Sequence, residues 1–443
     1  MSVIHELARF VTGASVRSLP AAERATQRRH VADTLLAAVA GARTTEGRAL
    51  RRVLPHMAAA DACGMLAAVI RHTEIDDIHT RSCTTPSSVT VPTALALARE
   101  RSDVDADTVA SAIWIGTELM TRLGVAIDGA RVLYRGLWPT YFTAPLGAAA
   151  IASRIKRLSE EQTAQALSLA LMLSAGRSGR FHGALPGRSV ILAMAVSAGV
   201  RAADAAAQGV GGDPALLDGP WLHDAHGIDA RIEALTAQLG EASCYRELTL
   251  KPFCSAKQAI AAIEGLTALV GEGLAPDSIA KIRVRVPPPY ARMIATRAEA
   301  GARASTIVGA AFQMGLAVHA PERLYDIERA DALNENAARE FAGRIEIIPD
   351  EALLEFFPEH FPAEVEVEAG GTTLRKRVTA AFGDPSRPLD DAQLADKARR
   401  VLAHMPGAPA ADGVVAAGLA GLDSNDACNR LAQKMCAGVV QAT

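Results

Sequence analysis

The spacing of apolar residues changes once along this chain, and that change bounds the folds open to it. Up to about residue 245, apolar side chains recur three and four apart, with Gly, Pro, Asp and Ser at the joins, as in residues 30–42, 89–100 and 107–125. A period near 3.6 gathers such residues on one face of a helix, so this stretch reads as helix after helix. Leu158-Ser159-Glu160-Glu161-Gln162 reads as a capped start: the Ser159 hydroxyl accepts from first-turn amides and Gln162 reaches back. Beyond about residue 250, alternation takes over in residues 279–286, 344–348 and 363–378, the last with Gly370-Gly371 as a hairpin turn. Residues 390–404, after the turn at Gly383-Asp384-Pro385, return to helical spacing, and a last helix begins near Ser424. The expected fold is mainly α: a large all-helical domain of residues 1–248, completed by 400–443, and a smaller α+β lid domain of residues 249–399 carrying an antiparallel sheet.

Composition narrows the function classes. Hydrophobic residues make up 49% of the 443 but aromatics only 4%, so Ala, Leu and Val must build the core and closely packed helices are expected. Lys and Arg number 46 against 49 Asp and Glu, which leaves no basic face for nucleic acid. The six cysteines form no CxxC pair, and His223-x-x-His226 has no companion ligands, so neither a metal nor another cofactor is expected. Scattered thiols suit a reduced, cytoplasmic protein. The N-terminus carries charges throughout, and apolar runs such as residues 184–198 are broken by Gly, Pro and Arg, so neither a secretory signal nor a membrane span is expected.

Four segments can carry chemistry. In the stretch from His72 to Ser88, three carboxylates (Glu74, Asp76, Asp77) and two histidines (His72, His79) fall within eight residues. A carboxylate there can act as a general base, an aspartate can orient a histidine, and Ser87 or Ser88 can direct helix amides at an anion. A solvated turn with ordinary N-caps has the same composition. Around Arg135-Gly136-Leu137-Trp138-Pro139-Thr140-Tyr141, two aromatic side chains flank a helix entrance beside a cation. They suit a pocket wall with Tyr141 as an acid, or a core tryptophan before a helix-starting proline. In Arg177-Ser178-Gly179-Arg180-Phe181-His182-Gly183, Arg180 can bind carboxylates where the glycines let a ligand approach, or the segment is a structural turn. In Lys251-Pro252-Phe253-Cys254-Ser255-Ala256-Lys257-Gln258, two lysines with Ser255 and Gln258 can hold an acidic substrate, whereas Cys254 lacks the signature of a nucleophile.

In this order the segments resemble the MmgE/PrpD family, which includes 2-methylcitrate dehydratase, cis-aconitate decarboxylase and iminodisuccinate epimerase. Glu74-Ile75-Asp76-Asp77-Ile78-His79 is similar to its D-x-D-D-T-H segment, and Arg135 to Thr140 to its R-G-F-H-P-T pattern. Phe181-His182-Gly183 resembles its K-x-L-H-x-G turn, and Lys251-Pro252-Phe253 the K-P-Y start of its lid. The resemblance spans almost the whole chain. It implies a homodimer with an active site in a cleft between the domains, and a metal-free lyase or isomerase that removes a proton beside a carboxyl or carbonyl group. Together with the reading of the four segments, it leaves Glu74, Asp76, Asp77, His79, Tyr141, His182 and Lys251 as the catalytic candidates. Thr85, Trp138, Arg135, Arg180, Ser255, Lys257 and Gln258 are the substrate-binding candidates.

The departures from the family pattern redirect the reading. Histidines of the pattern fall on Thr85, Trp138 and Ile260, and a lysine falls on Gly179. Elimination needs a base for the carbon acid and a donor for the leaving hydroxyl. An altered set implies an altered substrate: a small hydroxy-, oxo- or polycarboxylic acid with fewer carboxylates than citrate, most simply dehydrated. Epimerisation, decarboxylation, or a dimeric scaffold that binds without turnover are the alternatives.

Overall fold

The computed structural model describes residues 1–56, 61–175, 187–300 and 302–437. Helix starts follow side-chain caps: Ser2, Thr44, Asp61 and Asp105 each accept from a first-turn amide of the helix that follows. Ser159 and Gln162 form the expected reciprocal box before the Glu160–Met172 helix. The described residues fall into two compact units.

The first unit contains residues up to 175, then 187–248, and the C-terminal stretch from Gly407. It is a bundle of helices. Ala106–Ala126 and Pro139–Lys156 are buried along nearly their whole length and pack on each other, with Leu119, Leu123, Phe142, Leu146 and Leu167 in the core. With few aromatics to fill space, small residues let backbones approach. A methyl added at Gly64, in the Ala62–Arg71 helix, would overlap the Ala193 carbonyl oxygen of the Gly187–Ala207 helix. That last helix runs unbroken for 21 residues and is long and apolar enough to cross a membrane by length and composition. Here it packs against the Ala62–Arg71, Pro139–Lys156 and Glu160–Met172 helices.

The second unit, within residues 249–406, is built on a four-stranded sheet. Its order is Ile345–Pro349, Ile279–Val286, Ala363–Ala369, Thr372–Val378. The hairpin turns at Gly370 and Gly371, both with positive φ, as the sequence predicts. The sheet is mixed and not purely antiparallel, because Ile279–Val286 runs parallel to Ile345–Pro349 with Val284 opposite Ile347. The 58 residues between them include four helices, enough chain for a parallel return. One face presents Ile282, Val284, Val365 and Val367, all buried, and the Lys257–Gly271 helix packs on the Ala363–Ala369 and Thr372–Val378 strands. Charges alternate across the other face, where Glu366 pairs with Arg283 at 2.9 Å and with Arg375 at 2.8 Å. The Asp391–Ala403 helix belongs to this unit, anchored through Arg400 to Glu322 at 2.8 Å.

Candidate active site

In the first unit, the acidic segment begins where the Ala62–Arg71 helix ends. Glu74 turns the chain with φ of 61°, a left-handed conformation that costs a β-carbon residue free energy. Two guanidinium groups hold it there: Arg71 Nη1 lies 2.9 Å from Glu74 Oε2, and Arg188 Nη2 donates to Oε1 at 3.1 Å. Arg71 also reaches Asp76 Oδ1 at 3.3 Å. Burial alone would lower the Arg71 guanidinium, but the carboxylates of Asp76 and Glu74 outweigh it and hold the group above its ordinary value.

Asp77 has a different task. Its carboxylate accepts from the Ser87 amide at 3.2 Å and from the Ser87 hydroxyl, and meets His30 Nδ1 at 2.9 Å. It thereby ties the start of the Ser87–Arg99 helix to the Ala21–Gly41 helix. His79 stands in a tight loop closed by the bridge between His79 and Thr84. His79 Nδ1 lies 2.9 Å from the Ser82 hydroxyl and 3.2 Å from the Ser82 amide, and Nε2 lies 3.0 Å from Glu247 Oε2. Both ring nitrogens of His79 are therefore engaged. Glu247 also meets Arg81 at 3.2 Å.

The second segment meets the first through Thr85, whose amide donates to Thr140 Oγ1 at 3.0 Å. Trp138 is the N-cap and Pro139 the first residue of the Pro139–Lys156 helix, which puts Tyr141 in its first turn. The Trp138 and Tyr141 rings stack at 5.5 Å with 17° between their planes, and the Arg188 guanidinium lies 5.1 Å from the Trp138 ring centre. Burial raises the Tyr141 phenol above its ordinary value, against the pull of Arg188 and Arg71, so it carries its proton at neutral pH. Arg135 is exposed and donates to the Gly227 carbonyl at 3.2 Å. His182 and Arg180 lie outside the described residues.

In the second unit, Lys251, Lys257, Ser255 and Gln258 are all buried. Lys257 Nζ pairs with Asp384 Oδ1 at 2.6 Å, and Asp384 also accepts from the Thr249 hydroxyl at 3.0 Å and the Ala381 amide at 2.9 Å. Ser255 Oγ accepts from Gln313 Nε2 at 3.0 Å and donates to the Ala256 carbonyl at 2.9 Å. Among the described residues no group of three or more His, Cys, Asp or Glu side chains is arranged to hold a metal ion.

Sequence reasoning missed Arg71, Arg188, His30, Glu247 and Asp384. Arg71 had a signal, since it directly precedes the acidic run. Glu247 and Asp384 had none, being 168 and 127 residues from the side chains they meet.

Buried paired carboxylates and guanidinium groups beside a protonated phenol suit proton transfer on a polar small molecule. The MmgE/PrpD N-terminal domain matches residues 5–229 and the MmgE/PrpD C-terminal domain residues 253–416. The chain belongs to the MmgE/PrpD family, which includes lyases such as 2-methylcitrate dehydratase. No curated protein matches it.

Proposed function

We propose that this protein is a metal-independent hydro-lyase acting on a small hydroxy acid, with a substrate altered from that of 2-methylcitrate dehydratase. The observation that carries the reading is the largely buried cluster of Arg71, Glu74, Asp76 and Arg188, whose charges act on the Tyr141 phenol. In the elimination, a base takes the proton from the carbon beside the acid group. The carbon–oxygen bond on the neighbouring carbon breaks, and a donor protonates the departing hydroxyl as water. Asp76, held by Arg71, is the base of this proposal, and Tyr141 is the donor. Glu74 positions both guanidinium groups. His79, with Nδ1 on Ser82 and Nε2 on Glu247, orients the loop in this proposal.

The test is proton NMR of the purified protein in D2O with 2- and 3-hydroxy acids, unsaturated acids and oxo-acids. We expect carbon-bound deuterium exchange together with a new alkene from one hydroxy acid. Tyr141→Phe should slow alkene formation by about 10²-fold or more and leave exchange in place. Exchange with inverted configuration and no loss of water makes the protein an epimerase, and release of CO2 makes it a decarboxylase. Silence across the panel from a protein that binds these acids favours a scaffold without turnover.

A further inference from the structure

The apolar face of the sheet in the second unit is covered unevenly. Ile282 and Val284 are fully buried, but their partners on the edge strand, Ile345 and Ile347, are only half-buried. Side chains of one strand alternate between faces, so these isoleucines belong to the same apolar layer as the residues they pair with. The Lys257–Gly271 helix lies on the Ala363–Ala369 and Thr372–Val378 strands, whereas the Ile345–Pro349 edge strand is met by the Pro288–Ile294 and Ala310–His319 helices. A cavity of about 510 Å³ remains at that edge, walled by Phe312, Leu333, Ile345 and Ile347. Its size falls within the roughly 300–1,000 Å³ of small-molecule sites.

Two cations line the same cavity. Arg297 and Arg339 are exposed, and Arg339 donates to Asn336 Oδ1 at 3.0 Å. Among the described residues neither forms an ion pair, and no acidic side chain lines the cavity. The remaining polar side chain on its wall, Thr296, donates to the Met293 carbonyl at 2.7 Å. Apolar walls with unpaired guanidinium groups at the solvent side suit a molecule that is apolar at one end and anionic at the other. A cationic ligand is repelled there, and a small dicarboxylate has no apolar part to bury.

We propose that this cavity binds a medium-chain monocarboxylic acid, its alkyl chain against Phe312, Leu333, Ile345 and Ile347 and its carboxylate on Arg297 and Arg339. The alkyl chain completes the apolar layer that the sheet leaves open at its edge. The site lies wholly within the second unit and shares no residue with the candidate active site, so it stands or falls independently of the lyase reading.

Methyl NMR of the full-length protein, labelled at isoleucine and titrated with octanoate, octanol and octylamine, tests this. Ile345→Val and Ile347→Val identify the two signals. Octanoate should shift both methyl signals saturably in the millimolar range, octanol more weakly, and octylamine not at all. Replacing the two exposed cations together, Arg297→Gln with Arg339→Gln, should weaken octanoate about fivefold or more and leave octanol unchanged. Absence of a saturable octanoate shift at Ile345 and Ile347 overturns the proposal. Octanol or octylamine binding as tightly as octanoate overturns it as well, as does an unchanged affinity in the double variant. Broadening of the two signals as ligand-free protein is concentrated assigns the cavity to a second copy of the chain, which also overturns it. The three wild-type titrations decide the matter even where the double variant does not fold.

Discussion

Glu247 is held near a pKa of about 2, first by its hydrogen bond from His79 and then by the charges of His79 and Arg81, against a desolvation that works the other way. Its ordinary value is 4.5, so the unfolded chain takes up this proton before the folded one does. The stabilisation is complete above about pH 4.5 and is lost as pH falls through about 2. Its side chain is 45% exposed, so solvent screens part of the effect. Glu247→Gln should lower the urea midpoint at pH 6, and its midpoint should fall less between pH 6 and pH 3 than that of the wild type. Parallel curves for the two proteins would show that Glu247 carries no pH-linked stability. Residue-level chemistry was only partly legible in the sequence. The acidic segment showed that carboxylates gather there, but not that Asp77 binds His30 and Ser87 while Glu74 and Asp76 bind arginines. His30 and Arg188 are brought in by helices 47 and 114 residues away, so local sequence could not name them.

Among the elements, the Ala62–Arg71 and Gly187–Ala207 helices touch closely because Gly64 leaves room for the Ala193 carbonyl. Gly64→Ala should destabilise the protein by about 1–3 kcal/mol, since the helices must part to admit a methyl group. Denaturant unfolding checks it: the midpoint should fall with the slope unchanged. A midpoint within error of the wild type would mean that the helices can shift at no cost. Elements with local signals were readable in advance. Ser159 with Gln162 marked a helix start, and Gly370-Gly371 marked a turn, because each acts within a few residues. The parallel pairing of Ile279–Val286 with Ile345–Pro349 was not readable. Alternation tells which face of a strand is apolar, and nothing in it fixes the direction of a neighbour reached through a long crossover. The apolar run at residues 184–198 reads as broken short of membrane-spanning length, whereas the Gly187–Ala207 helix is long and apolar enough to cross a membrane by length and composition.

At the scale of the molecule, residues 249–406 have their own sheet, their own buried ion pair between Lys257 and Asp384, and their own apolar face under the Lys257–Gly271 helix. A fragment of residues 249–406 should therefore unfold cooperatively by itself, with a sigmoidal loss of far-ultraviolet circular dichroism in urea. A gradual, non-cooperative decline would show that this unit needs the rest of the chain. Another consequence concerns the order in which the protein is made. The Gly187–Ala207 helix is apolar enough to be hazardous while bare, yet the three helices it packs against, Ala62–Arg71, Pro139–Lys156 and Glu160–Met172, all precede it in the chain. During synthesis from the N-terminus, its docking surface leaves the ribosome first, so this stretch emerges beside a berth already translated.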